Sequence, residues 1–134
     1  MRTRTTRREK LGLNPSEHTE AVRFMRVVRL HEKQYPALLN LSHVPMGGWR
    51  HRTVARKLKA EGVRPGYPDY LLDVPLGGYH GWRCEMKSRG GTPTKEQKEW
   101  HERLRANGYK VDLCKGWEEA WAALKAYLDL EPPG

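Results

Sequence analysis

A chain of 134 residues has the size expected of one domain, long enough to bury a real core and too short for two. A formal net charge of +9, with 31% of the residues charged, makes a polyanion the natural partner. No window approaches the roughly 18 apolar residues of a membrane span. The cysteines Cys84 and Cys114 lack C-x-x-C spacing and histidine neighbours, so neither a zinc site nor a disulfide framework is indicated and a cytoplasmic setting is expected.

In chain order, residues 1–13 carry Arg2, Arg4, Arg7, Arg8 and Lys10 among threonines and read as a basic flexible arm that could follow a phosphate backbone. A terminus without a role is the plainer alternative. The domain itself is expected over residues 14–130, with a short tail at 131–134. Asn14-Pro15-Ser16-Glu17 is a helix start, with Asn14 as cap and Glu17 three residues on. Ala21, Phe24, Val27, Val28 and Leu30 give that helix an apolar side, Arg23, Arg26, Arg29 and Lys33 a basic one, and Pro36 ends it. Leu38 to Val44 alternates as a short strand would. After Gly47-Gly48, Arg50 to Ala60 predicts a second helix, the most basic structured stretch, carrying Arg50, Arg52, Arg56 and Lys57 as candidate phosphate contacts, with Gly62 as terminator.

Gly62-Val63-Arg64-Pro65-Gly66-Tyr67-Pro68 reads as a rigid loop that delivers Asp69 to a strand over Tyr70 to Val74. Leu76-Gly77-Gly78-Tyr79 has the composition of a turn, and Gly81 to Lys87 returns as a second strand. Period two then sends Cys84 and Met86 to one face and Arg83, Glu85 and Lys87 to the other. Lys95 to Asn107 predicts a third helix stopped by Gly108, Tyr109 to Cys114 a last strand, and Trp117, Ala120, Trp121, Leu124 and Leu128 a final amphipathic helix packed on the sheet.

Two carboxylates and an amine thus converge. Asp69 and Glu85 are candidate oxygen ligands for Mg²⁺ or Mn²⁺, with the backbone carbonyl of Met86 as a further one. Lys87 is placed to orient or deprotonate a water and to neutralise charge on a phosphate, which is the chemistry of phosphodiester hydrolysis. A solvent-facing strand edge with an ordinary Glu and Lys is the competing reading. Gln97 completes a capping box with Thr94, and it could also sit beside the metal; the two roles are compatible. Glu20 borders the apolar side of the first helix, where a solvated surface acid is the ordinary expectation. The histidines His18, His31, His43, His51, His80 and His101 form no H-x-x-x-H pattern, which disfavours a histidine-based nuclease, although His43 could approach DNA.

With Gly62 to Asp69, then Glu85-Met86-Lys87, then Thr94-Lys95-Glu96-Gln97-Lys98 in that order, the chain resembles the PD-(D/E)XK nuclease superfamily and within it the VRR-NUC branch of virus-type replication and repair nucleases. The likeness runs from about Glu20 to Leu128, with Trp117, Glu119 and Ala120 leading into its C-terminal end. It implies an α/β, restriction-endonuclease-like core, a central mixed four-stranded sheet flanked by helices. It also implies catalytic roles for Glu20, Asp69, Glu85, Lys87 and Gln97. Free-standing members of this branch look like small homodimeric DNA nucleases, some acting on four-way junctions, and larger relatives trim flaps, which implies an endonuclease for branched DNA, of Holliday-junction or flap type, in phage or phage-like replication and repair. The resemblance thus makes DNA and a second copy of the chain the expected partners; Met46-Gly47-Gly48-Trp49 and the C-terminal helix are the candidate dimer surfaces. A non-catalytic basic DNA-binding module and a sequence-specific restriction-type endonuclease are the alternatives.

Overall fold

The computed structural model describes residues 15–45 and 52–134. The basic arm, the Asn14 cap, the Met46-Gly47-Gly48-Trp49 segment, Arg50 and His51 lie outside the described residues. Helix α1 (Pro15–Leu30) carries Glu17 in its first turn and Arg29 in its last, each complementing the helix dipole. Phe24 and Val28 are its fully buried residues, with Ala21 and Met25 packed beside them. Leu30, expected on this stripe, is instead 80% exposed, because two residues beyond Val28 a helix has turned to its opposite side.

The segment after α1 also departs from the sequence expectation. Pro36 opens a 3-10 helix (Pro36–Asn40) rather than preceding a long strand, and strand β1 covers only Leu41–His43. Proline fixes a helical φ at the first position, and the Leu38 N–H donates to the Tyr35 carbonyl at 3.0 Å. Leu38 is thereby buried while Leu39 lies 71% exposed, a consequence that period-two alternation does not foresee. Helix α2 (Arg52–Ala60) buries none of its residues. It ends at Gly62 through bonds from Gly62 N–H to the Lys59 carbonyl and from Val63 N–H to the Leu58 carbonyl, the pairing of a Schellman motif.

Strands β2 (Tyr70–Leu72), β3 (Trp82–Lys87) and β4 (Lys110–Lys115) complete a sheet of order β1-β2-β3-β4. β1 pairs with β2 and β2 with β3 antiparallel, whereas β3 and β4 run parallel, so the sheet is mixed. A parallel neighbour requires a crossover, and helix α3 (Lys95–Ala106) supplies it. β2 stops at Leu72, two residues short of the expected Val74, whose carbonyl accepts the Tyr127 hydroxyl of helix α4 (Trp117–Leu128) instead of a strand partner.

Helices α1 and α4 cover one face of the sheet. Phe24, Val28, Tyr70, Leu72, Trp82, Cys84, Met86, Cys114, Ala120, Leu124 and Tyr127 form one cluster there. The other face is covered by α3 through His101 and Leu104, and it receives Arg83 and Glu85. Because both faces are covered, β3 is buried from Trp82 through Met86 although its side chains alternate. No helix among the described residues is long and apolar enough to cross a membrane.

Candidate active site

β3 leaves the antiparallel pairing after Cys84, just before Glu85. The β2–β3 register runs from Leu72 opposite Trp82 to Tyr70 opposite Cys84, so Asp69, the next residue back, falls beside Glu85 and Met86. The Asp69 carboxylate takes up the hydrogen bond that the ladder no longer provides: its Oδ2 accepts the Met86 N–H at 2.8 Å. The Asp69 carbonyl accepts the Val44 N–H at 2.7 Å and stands 2.9 Å from His43 Nδ1, which ties the end of β1 to the same point. Since the N–H and C=O of one strand residue point to the same edge, the Met86 carbonyl opens on the edge that Asp69 occupies.

The two acids are in hydrogen-bonding contact with each other, and both are raised above the ordinary carboxylate range. Burial is the larger cause for Asp69, whose carboxyl is pushed up to about 8, and the neighbouring Glu85 raises it further. Burial likewise raises Glu85, which is 1% exposed, and Glu17 of α1 adds to the rise, while the hydrogen bond with Asp69 and the charge of Lys87 oppose it. With Asp69 pushed up to about 8, a proton held by the pair at neutral pH removes part of its negative charge. A divalent cation can do the same more strongly, and Glu85 Oε1 is itself buried without a hydrogen-bond partner. No group of three or more His, Cys, Asp or Glu side chains among the described residues is arranged to hold a metal ion. The oxygen atoms gathered at this point are the two carboxylates and the Met86 carbonyl, a hard-oxygen set that could hold Mg²⁺ with water and phosphate in its remaining positions.

The loop that presents Asp69 is braced against α3. Gly66 has a φ of +92°, and a Cβ on it would lie 2.6 Å from the Glu96 carbonyl carbon, so only glycine lets the loop press onto the first turn of the helix. Trp100 of α3 donates its indole N–H to the Pro65 carbonyl at 3.0 Å and meets the Tyr67 ring edge-on at 5.0 Å. The Tyr67 hydroxyl in turn accepts from Arg83 Nε at 3.0 Å, and Arg83 pairs with Asp73 at 3.1 Å. Loop, β3 and α3 are thus linked immediately before Pro68-Asp69.

The expected residues fall in different places. Asp69, Glu85 and Met86 are together, and Lys87, half-buried one step along β3, is close enough for its charge to act on Glu85. Gln97 forms the capping box: its Oε1 accepts the Thr94 N–H at 2.8 Å, and its own N–H donates to Thr94 Oγ1 at 3.2 Å. Glu20 faces the N-terminus of α4, where its Oε2 accepts the Trp117 N–H at 2.7 Å. Gly116, the residue capping that helix, has no side chain to do so, and Glu20 supplies the acceptor from another element. The acid of α1 whose charge acts on Glu85 is Glu17, one turn earlier and read from the sequence only as part of a cap. Arg52, Arg56 and Lys57 lie exposed along α2.

His101 is the residue that sequence reasoning missed. It is 4% exposed, and its Nε2 lies 3.6 Å from Glu85 Oε1. Burial lowers its pKa, and Arg105 and Lys87 lower it further. The signal was its position one helical turn after Gln97, on the side of α3 that meets the sheet, rather than any histidine motif.

Among solved structures, a protein described as "VRR_NUC domain protein" superposes on the chain with a TM-score of 0.73 at 29% sequence identity, over 87% of this chain and 91% of that one. No family model matches the sequence, and no curated protein matches it.

Proposed function

Because the chain belongs to the VRR-NUC branch of the PD-(D/E)XK nucleases, we propose that it is a metal-dependent DNA endonuclease that hydrolyses phosphodiester bonds in branched DNA and works as a homodimer. The observation that carries the reading is the contact between the half-buried Asp69 and the buried Glu85 carboxyls, two acids whose raised proton affinity marks a site short of positive charge. Asp69, Glu85 and the Met86 carbonyl would hold Mg²⁺ or Mn²⁺, which when bound supplies charge neutralisation on the phosphate and acidifies a water. Lys87 orients or deprotonates that water and balances the charge that builds on the phosphate oxygens. Gln97 and Glu20 act by holding the starts of α3 and α4 where the site needs them. The exposed cations Arg52, Arg56 and Lys57 of α2, with Arg50 before them, supply phosphate contacts.

Branched DNA and a two-fold dimer follow from the likeness to free-standing members of the branch, since two sites related by a dyad can address two strands of a junction. Purified protein offered end-labelled junction, flap, nicked and plain duplex DNA should cut the branched forms with Mg²⁺ or Mn²⁺ and cut nothing in chelator. A Lys87→Ala variant should bind DNA normally and cleave about 10² to 10⁴ times more slowly. DNA binding without metal-dependent cleavage would leave a non-catalytic module, and discrete bands from long random-sequence DNA would indicate a restriction-type enzyme.

A further inference from the structure

Two polar atoms at the site are buried and lack hydrogen-bond partners, and they are the same two that face each other. Glu85 Oε1 and His101 Nε2 are 3.6 Å apart, with side chains 2% and 6% exposed. An unpaired polar atom in such a place is costly, and both atoms carry that cost unless they satisfy each other. The imidazole in its Nε2–H form has the donor that the carboxylate oxygen lacks, and closing the gap to hydrogen-bond length needs a shift well under 1 Å. Both atoms are sealed from solvent, so a hydrated ion does not reach the space between them, and no three-residue ligand set is present among the described residues. The position suits a donor behind a ligand better than a ligand.

We propose that His101 is a positioning residue for Glu85: its Nε2–H holds Oε1 and thereby fixes the rotation of the carboxylate, so that the other oxygen is presented toward Asp69 and the metal. The helix makes this possible. His101 sits three residues before Leu104, the other buried residue of α3, and its ring is buried with Nε2 directed at Glu85 of β3. The start of the same helix is fixed by the Thr94–Gln97 capping box and by the Gly66 loop that also carries Asp69, so one element sets the placement of both acids.

The proposal rests on Glu85 being a metal ligand, and Mn²⁺ affinity separates the two claims. Free Mn²⁺ would be followed by electron paramagnetic resonance in wild type, Glu85→Gln, His101→Gln and His101→Asn, with circular dichroism and a thermal melt reporting folding. A glutamine amide nitrogen reaches about as far from Cα as imidazole Nε2, whereas an asparagine amide stops at the Nδ1 position. Wild type and His101→Gln should bind Mn²⁺ within about threefold of each other, and His101→Asn about 10- to 100-fold more weakly, the range for losing an outer-shell partner. Both substitutions put an amide in the same buried place, so a purely structural role would not separate them. Equal affinity of the Gln and Asn variants overturns the inference: near wild type it makes His101 dispensable, and equally weak it makes the imidazole itself a ligand. Wild type that binds no Mn²⁺, or Glu85→Gln that binds it as wild type does, overturns the metal reading and this inference together.

Discussion

Replacing Asp69 by Asn should make the metal-free protein more stable at alkaline pH while destroying its site. In the fold the carboxyl is pushed up to about 8 from its ordinary value of 3.8, and burial is the main reason. Below the lower value both folded and unfolded chains carry the proton, and its contribution to stability is fully present. As pH rises, the unfolded chain releases its proton first and is favoured, so stability falls until the folded carboxyl also ionises near pH 8. A rise of about four units at roughly 1.4 kcal/mol each sets a ceiling of about 6 kcal/mol on that loss. An Asn amide keeps the acceptor for the Met86 N–H and donates toward Glu85 as the protonated acid does, without any charge to ionise. Urea unfolding followed by tryptophan fluorescence in chelator should therefore show the two proteins near parity at about pH 4 and the variant ahead by several kcal/mol at about pH 9. Added Mg²⁺ at a hundredfold excess over its Kd should return about 2.7 kcal/mol to wild type and nothing to the variant. A gap that does not change with pH, or a variant less stable than wild type at the alkaline end, would refute the reasoning, because the buried charge would then not be what the fold is working against.

Gly66→Ala should cost about 3 kcal/mol or more and abolish cleavage, since its Cβ would meet backbone 2.6 Å away at a φ of +92°. Gly62→Ala, with nothing within 4 Å of its Cβ, should cost only about 1 kcal/mol, and equal losses in urea titrations would contradict the brace assigned to the loop. Glu20→Ala removes the acceptor at the start of α4 and should lower stability by about 1–2 kcal/mol while kcat per folded molecule changes less than about tenfold. A large fall in kcat with unchanged stability would put Glu20 among the groups that act on substrate. Combining Arg56→Ala with Lys57→Ala should weaken DNA binding about equally for all sequences and reduce the salt slope of log Kd by about 1 for each cation that contacts a phosphate, measured by filter binding over a salt series.

The fold resolves into features of short and long range in the chain. The Thr94–Gln97 box, the stops at Gly62 and Gly108 and the Leu76-Gly77-Gly78-Tyr79 turn were legible because each is closed by atoms a few residues apart. The same holds for the placement of Asp69 beside Glu85, which follows from a strand, a turn and an antiparallel return. Local pattern failed at Leu38 to Asn40, where a proline-started 3-10 turn buries one leucine and exposes the next. It fails again at Leu30, which lies exposed, off the buried stripe of its helix.

By itself the sequence determined the chemical kit and its order: an acid after a braced loop, an acid and a lysine two apart on a strand, and a capped helix to follow. Only the tertiary structure decided which groups those residues meet. Glu20 caps a helix that begins 97 residues later, and Glu17 rather than Glu20 lends its charge to Glu85. His101 faces Glu85 because the crossover to a parallel strand lays α3 against the sheet, with its rotation set by packing at Leu104 and at the Gly66 contact. Such pairings depend on how elements are rotated and stacked, and no rule confined to a few neighbouring residues contains that information.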